Sequence, residues 1–214
     1  MIFVISSYMT VEPSHSLTER LLTLAPERSR GVLVAAYETF LQFGVRRASM
    51  QDIAKQAGIS RAALYLHYRN KTDIFRALMA HYFTASSGLV AEALEEGGSA
   101  TEALRRAFAV QTGEAAAVMM ASPHAEELLS LKQSVARDII AEGTQSLARV
   151  YGAWLRKGVA EGWISKVGAG TDPEATAQAM LAALDGLKHA GLPPAGHVAA
   201  RDRLAELFGR ALTP

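Results

Sequence analysis

The stretch "GISRAALYLHYRNK", residues 58–71, crowds Arg61, Tyr65, His67, Tyr68, Arg69, Asn70 and Lys71 onto very little backbone. Guanidinium, phenol, imidazole, amide and ammonium groups at this density are hydrogen-bond donors first, and three of them are permanent cations. Arginine can fork to guanine O6 and N7, alanine can touch a thymine methyl, and tyrosine, histidine and lysine can bond phosphates. The chemistry on offer is therefore recognition of a polyanion with readable edges. Catalysis has no comparable set: there is no Ser/His/Asp grouping, carboxylate pair or phosphate loop to defend. His124, His189 and His197 are not at ligand spacing with a carboxylate pair, so neither a metal nor a cofactor is expected.

Charge supports the same chemistry. The chain of 214 residues carries a formal charge of only +1. Between Glu27 and His81, however, nine basic residues stand against four acidic ones, so the rest of the chain is net acidic. A basic module joined to a neutral or acidic one fits a nucleic-acid reader with a partner domain. Half the residues are hydrophobic and none is cysteine, which predicts a folded core and excludes disulfides and thiolate chemistry. The start, "MIFVISSYMTVEPSHSL", has no positive n-region, and no run approaches the ~20 apolar residues of a membrane span. A cytoplasmic protein with no membrane partner is expected.

Positioning those donors falls to helices. After Pro26 almost every segment reads at helical period, which predicts an all-α fold of about nine helices. A first helix from Glu27 to Phe43 carries Leu33, Ala36, Tyr37, Phe40 and Leu41 on one face and is stopped by Gly44. Ser49 with Asp52 opens a short second helix that buries Ile53, Ala54 and Ala57, and Gly58 closes it. Ser60 caps a third helix with Leu64 inward. At 100° per residue Ala62 and Leu66 then face away from the core, Arg61 and Tyr65 lie on one flank, and Ala63 and His67 on the other. A small residue at the crossing, glycine at the turn, Ile59 at the corner and a capping serine are what a helix-turn-helix requires. "NKTDIFRALMAHYF" starts a fourth helix, the expected joint between two domains. Ser122 and Pro123 are expected to open a later helix, and Val198–Leu212 to form the last.

The run "VLVAAYETFLQFGVRRASMQDIAKQAGISRAALYLHYRNKTDIFRAL" resembles the N-terminal domain of the TetR family of transcriptional regulators. The matching elements are Phe and Gly ending the first helix, Ser-Met-x-x-Ile-Ala, Ala-Gly-Ile-Ser, Leu-Tyr-x-His-Tyr and Asn-Lys, over roughly Arg30 to Leu78. The resemblance implies operator contacts from Ser49, Gln51, Arg61, Ala63, Tyr65, His67 and Lys71; the geometry above adds Ser60 and Ala62. Ala48 and Val45 depart from the family's usual Thr and aromatic, and Ala48 removes one hydroxyl contact. The resemblance also implies a C-terminal helical domain that dimerises through its last helices and holds a small effector.

The expected organisation is a flexible extension over 1–25, a helix-turn-helix domain over 26–72 and an effector-binding and dimerisation domain over 73–214. "ATAQAMLAALDGLKHAGL" is apolar on most faces and must be covered on most faces, which predicts a homodimer interface with Met180, Ala183, Leu184, Leu187, Leu204, Leu207 and Phe208. Phe108, Met119, Met120, Tyr151 and Trp154 supply the flexible and aromatic lining that suits an apolar effector. The function expected is a homodimeric, ligand-released repressor on palindromic DNA. Two alternatives stand beside it: a regulator of the same fold without an effector, and an all-α enzyme with an incidental helix-turn-helix.

Overall fold

The computed structural model describes residues 27–112 and 122–214, so the N-terminal extension and the expected pocket residues Met119 and Met120 lie outside the described residues. Within them there are ten helices and no strand. They are α1 (Glu27–Arg47), α2 (Met50–Gln56), α3 (Arg61–His67), α4 (Lys71–Glu95), α5 (Ala100–Thr112), α6 (Ala125–Val135), α7 (Arg137–Glu161), α8 (Lys166–Ala169), α9 (Pro173–Leu187) and α10 (Pro194–Ala211).

The first three helices and the start of α4 enclose one core. Leu33, Ala36 and Phe40 of α1, Ile53 and Ala54 of α2, Leu64 of α3, and Ile74 and Phe75 of α4 are all buried there. Phe40 and Phe75 meet edge to face with ring centroids 6.2 Å apart. Burying each of these large side chains contributes about 1.5–3 kcal/mol, so the packing of Leu64 alone fixes which way α3 faces. At Gly44 the backbone leaves the helix with φ 74° and ψ 159°. That conformation is essentially confined to glycine, and a Cβ there would collide with the Glu127 carboxylate. Gly44 therefore ends the straight part of α1 as expected, and one further turn to Arg47 follows the kink.

A second core is built by the remaining helices. α7 runs between α4 and α9, while α5 lies between α4 and α10. Leu104, Phe108, Leu147, Tyr151, Trp154, Met180 and Leu184 are buried within it. The two cores share α4, because Ile74 and Phe75 belong to the first and Val90, Ala93 and Leu94 to the second.

Side chains of α6 and α7 pin the N-terminal head to the rest. Leu128 and Ala136 are buried in the head's own core. Ser122 Oγ donates to the Leu41 carbonyl at 2.9 Å, His124 Nε2 lies 3.2 Å from the Gln42 carbonyl, and the Arg46 N–H donates to Glu127 at 2.6 Å. Arg76 forks onto Asp138 at 2.8 and 2.6 Å and also donates to the Val135 carbonyl at 2.6 Å.

Two helix starts differ from expectation. Ser122 and Pro123 form a turn rather than a cap and first residue, and α6 begins at Ala125. The Ser122 hydroxyl is bonded to Leu41 and accepts the His124 N–H, so the serine anchors α6 to α1 instead of opening a helix. The last helix begins at Pro194, four residues before Val198, because proline is suited to a first helical position.

Candidate nucleic-acid interface

Two caps and a turn set the recognition unit. Ser49 Oγ accepts the Asp52 N–H at 3.2 Å, and the Asp52 carboxylate takes the Ser49 N–H at 3.0 Å, a reciprocal capping box that starts α2. The Ser49 hydroxyl also donates to Asp52 at 2.6 Å. These bonds hold the Asp52 carboxyl below the ordinary carboxylate range, the Ser49 hydroxyl being the largest cause. At the other end Gly58 turns the chain with φ +67°, and a Cβ there would meet nothing within 4 Å. Backbone conformation, not space, is what calls for glycine. The Ile59 N–H bonds back to the Ala54 carbonyl at 3.0 Å, and Ser60 Oγ accepts the Ala63 N–H at 3.0 Å to start α3.

With Leu64 fully buried, the outward side of α3 is solvent-facing as the helical period requires. Arg61, Ala62, Tyr65, Leu66 and His67 are exposed, and Ala63 is half-buried. Ser49, Gln51 and Ser60 are exposed on the same unit. Arg61 lies over the Tyr65 ring, 5.5 Å from its centroid, and its Nη2 is 3.3 Å from the phenol oxygen. Both residues of that pair are exposed, so the guanidinium can swing toward a base at little cost. Arg46, Arg47 and Lys55 add exposed cations from α1 and α2. Tyr68 packs against the head's core, and its burial pushes the phenol's pKa up.

Lys71 occupies a position not foreseen from its place at a helix start. Its ammonium donates to the Arg46 carbonyl at 2.7 Å and the Ala48 carbonyl at 2.9 Å. The lysine thus clasps the turn between α1 and α2, leaving one of its three donors for an external anion. The pins from Ser122, His124, Glu127 and Asp138 also escaped sequence reasoning, since their partners lie 62 to 82 residues away. Nothing local marks such pairs.

The other expected sites fall as follows. Phe108, Tyr151 and Trp154 are buried in the second core, with Phe108 6.0 Å from Tyr151 and 6.5 Å from Phe208, ring centre to ring centre. Tyr151 Oη donates to Gln111 at 2.9 Å, and burial raises the phenol's pKa. Met180 and Leu184 are buried within the subunit, Leu187, Leu204 and Phe208 pack partly against its core, and Ala183 is half-buried. Leu207 is 51% exposed, and Ala175, Ala179, Ala182 and Gly186 form an exposed small-residue side of α9. Among the described residues no group of three or more His, Cys, Asp and Glu is placed to hold a metal, and no helix is long and apolar enough to cross a membrane.

Comparison with known proteins agrees with this geometry. Residues 32–78 match the family model described as bacterial regulatory proteins, tetR family. The chain is 38% identical over 77 residues to YezE of Bacillus subtilis, an uncharacterised HTH-type transcriptional regulator, covering 36% of this chain and 40% of that one. It is 38% identical over 55 residues to the HTH-type transcriptional repressor BepR of Brucella suis, 26% of each chain. The matches thus span 40% and 26% of these two relatives' own lengths. Among solved structures, reduced NemR of E. coli covers 88% of this chain and 99% of its own with a TM-score of 0.68 at 16% identity. SmeT, the repressor of the Stenotrophomonas maltophilia multidrug efflux pump SmeDEF, covers 90% and 93% with a TM-score of 0.64 at 19% identity, and has also been solved with triclosan. At such identities the likeness is one of fold, and it extends over both cores. Residues 32–78 are thus a helix-turn-helix domain similar to that of the bacterial regulatory proteins of the tetR family.

Proposed function

We propose that the protein is a homodimeric repressor whose α3 helices enter successive major grooves of a palindromic operator, about 34 Å apart, and that a small hydrophobic effector releases it. The observation that carries this reading is the outward side of α3, where Arg61, Ala62, Tyr65, Leu66 and His67 are exposed around a backbone fixed by two serine caps. Arg61 and Ala63 meet bases, Gln51 meets a base or phosphate, and Tyr65, His67, Ser49 and Ser60 fix register on phosphates. The chain acts as a regulator and not as a catalyst.

Dimerisation proceeds through the exposed small residues of α9 together with Leu207 of α10, with Met180 and Leu184 bracing that face from behind. A four-helix bundle with the partner's copy covers both helices. Effector binding shifts the head through the contacts of α6 and α7, whose side chains hold the end of α1 and the start of α4.

A second reading, a regulator without an effector, is favoured by one observation. Phe108 and Tyr151 are completely buried and Trp154 nearly so, which leaves these aromatics as core unless the domain opens. The two readings separate in a binding assay. Retardation of operator DNA by the purified protein should be relieved by apolar aromatics of the triclosan class if an effector site exists. Complexes indifferent to a broad panel of such compounds, with the protein shown to be ligand-free by mass spectrometry, would leave the second reading standing.

A further inference from the structure

We infer that Leu66 reads a thymine methyl group in each half-site and so sets part of the operator sequence; this rests on the proposed role of α3 as the DNA-reading helix. Leu66 is 84% exposed although α3 is only seven residues long, so packing within the subunit does not account for a large apolar side chain there. It lies two positions beyond Leu64, which is fully buried, and hence about 200° round the helix on the side farthest from the core. Ala62, one turn earlier, shares that outermost line and is also exposed.

The surroundings specify the partner. Arg61 and Tyr65 flank the line on one side and His67 on the other, and Arg46, Arg47 and Arg69 are exposed on the same head. An apolar pocket on a protein partner would have to be ringed by anions to meet this rim; duplex DNA supplies the anions as phosphates on both walls of the groove. Within the major groove G, C and A are distinguished by hydrogen-bond donors and acceptors, and thymine alone adds a methyl group. A leucine pressed on any other edge would strand polar groups without partners, which disfavours those bases as well. Leu66 therefore discriminates both by attraction to thymine and by exclusion of the alternatives.

Replacing thymine by deoxyuridine removes the methyl and nothing else, which makes the test direct. An operator is first enriched from random DNA with the wild-type protein, and each half-site thymine is then exchanged for deoxyuridine in symmetric pairs. Dissociation constants are measured at one salt concentration for wild type and Leu66→Ala. At one thymine position the exchange should weaken wild type about fivefold per half-site, the effect of returning roughly 40 Å² of apolar surface to water, and leave Leu66→Ala unchanged. The unfolding temperature of Leu66→Ala should equal that of wild type, as suits a side chain so exposed. If no thymine separates the two proteins, Leu66 reads no methyl and the inference is overturned while the operator-binding role stands. Failure of wild type to enrich any operator would instead strike the DNA-reading proposal itself, and this inference with it.

Discussion

Arg61 is exposed and Lys71 half-buried, and their environments separate the roles proposed for them. Arg61 is exposed and hydrogen-bonds to Tyr65, a partner one turn along the same helix, so removing its side chain should leave the fold intact. Arg61→Ala is expected to keep the wild-type unfolding temperature and to cost about 1–3 kcal/mol of operator affinity, concentrated at one base pair. Lys71 holds two backbone carbonyls of the α1–α2 turn, so Lys71→Ala should lose about 1.5–3 kcal/mol of stability in addition to affinity for all DNA sequences. Thermal unfolding followed by circular dichroism decides between these roles. An unchanged midpoint for Lys71→Ala would mean that the clasp contributes nothing. The residues that sequence made legible here are those governed by short range: Ser49, Ser60, Ala54 and Gly58 answer to caps and turns within a few positions. Lys71 was legible as a cation at a helix start but not as a clasp, because its acceptors are 23 and 25 residues earlier and meet it only through the packing of α1 against α4.

The short helices α2 and α3 depend on their junction, and α4, α6 and α7 carry the head. Because Gly58 sits at φ +67° with open space where a Cβ would go, Gly58→Ala should destabilise the head by about 1–2 kcal/mol through backbone strain alone. Asparagine there should cost less than valine, and equal losses in chemical denaturation would refute the strain account. The pin from α4 to α7 has a predictable pH response. Arg76, bonded to Asp138, lowers the Asp138 carboxyl to about 2. A depressed carboxyl contributes stability above its unfolded value of ~3.9 and loses it as pH falls through the folded one. The bridge should therefore be constant from ~pH 5 upward and fail only in strong acid. Asp138→Asn should remove that part of the acid sensitivity; an identical acid-unfolding profile would show the bridge to be idle. Helix periodicity made most of these elements legible, including the apolar run that forms α9. The start of α6 was not, since Ser122 and Pro123 read locally as an opening while Ser122 is in fact bonded to Leu41 of α1.

At the scale of the whole molecule, reading a palindrome needs two subunits and a DNA duplex. The exposed small-residue side of α9 beside Leu207 should bring two copies together, and Ala182→Arg, at an exposed position, should yield a folded monomer in sedimentation. A dimer that survives this change would place the interface elsewhere. The all-helical class was legible because the helical period extends over long stretches. The interior of the second core was less so: Phe108, Tyr151 and Trp154 have the composition of an apolar pocket and also of an ordinary core, and composition alone does not separate the two. The central claim, that α3 reads DNA sequence, is tested most directly by enriching operators from a random duplex pool with the purified protein and comparing the winner with scrambled DNA at fixed salt. A palindromic site bound by two subunits, preferred by at least about a thousandfold, is expected. Uniform affinity for winner and scrambled DNA, with no sequence enriched by a folded dimer, would contradict it.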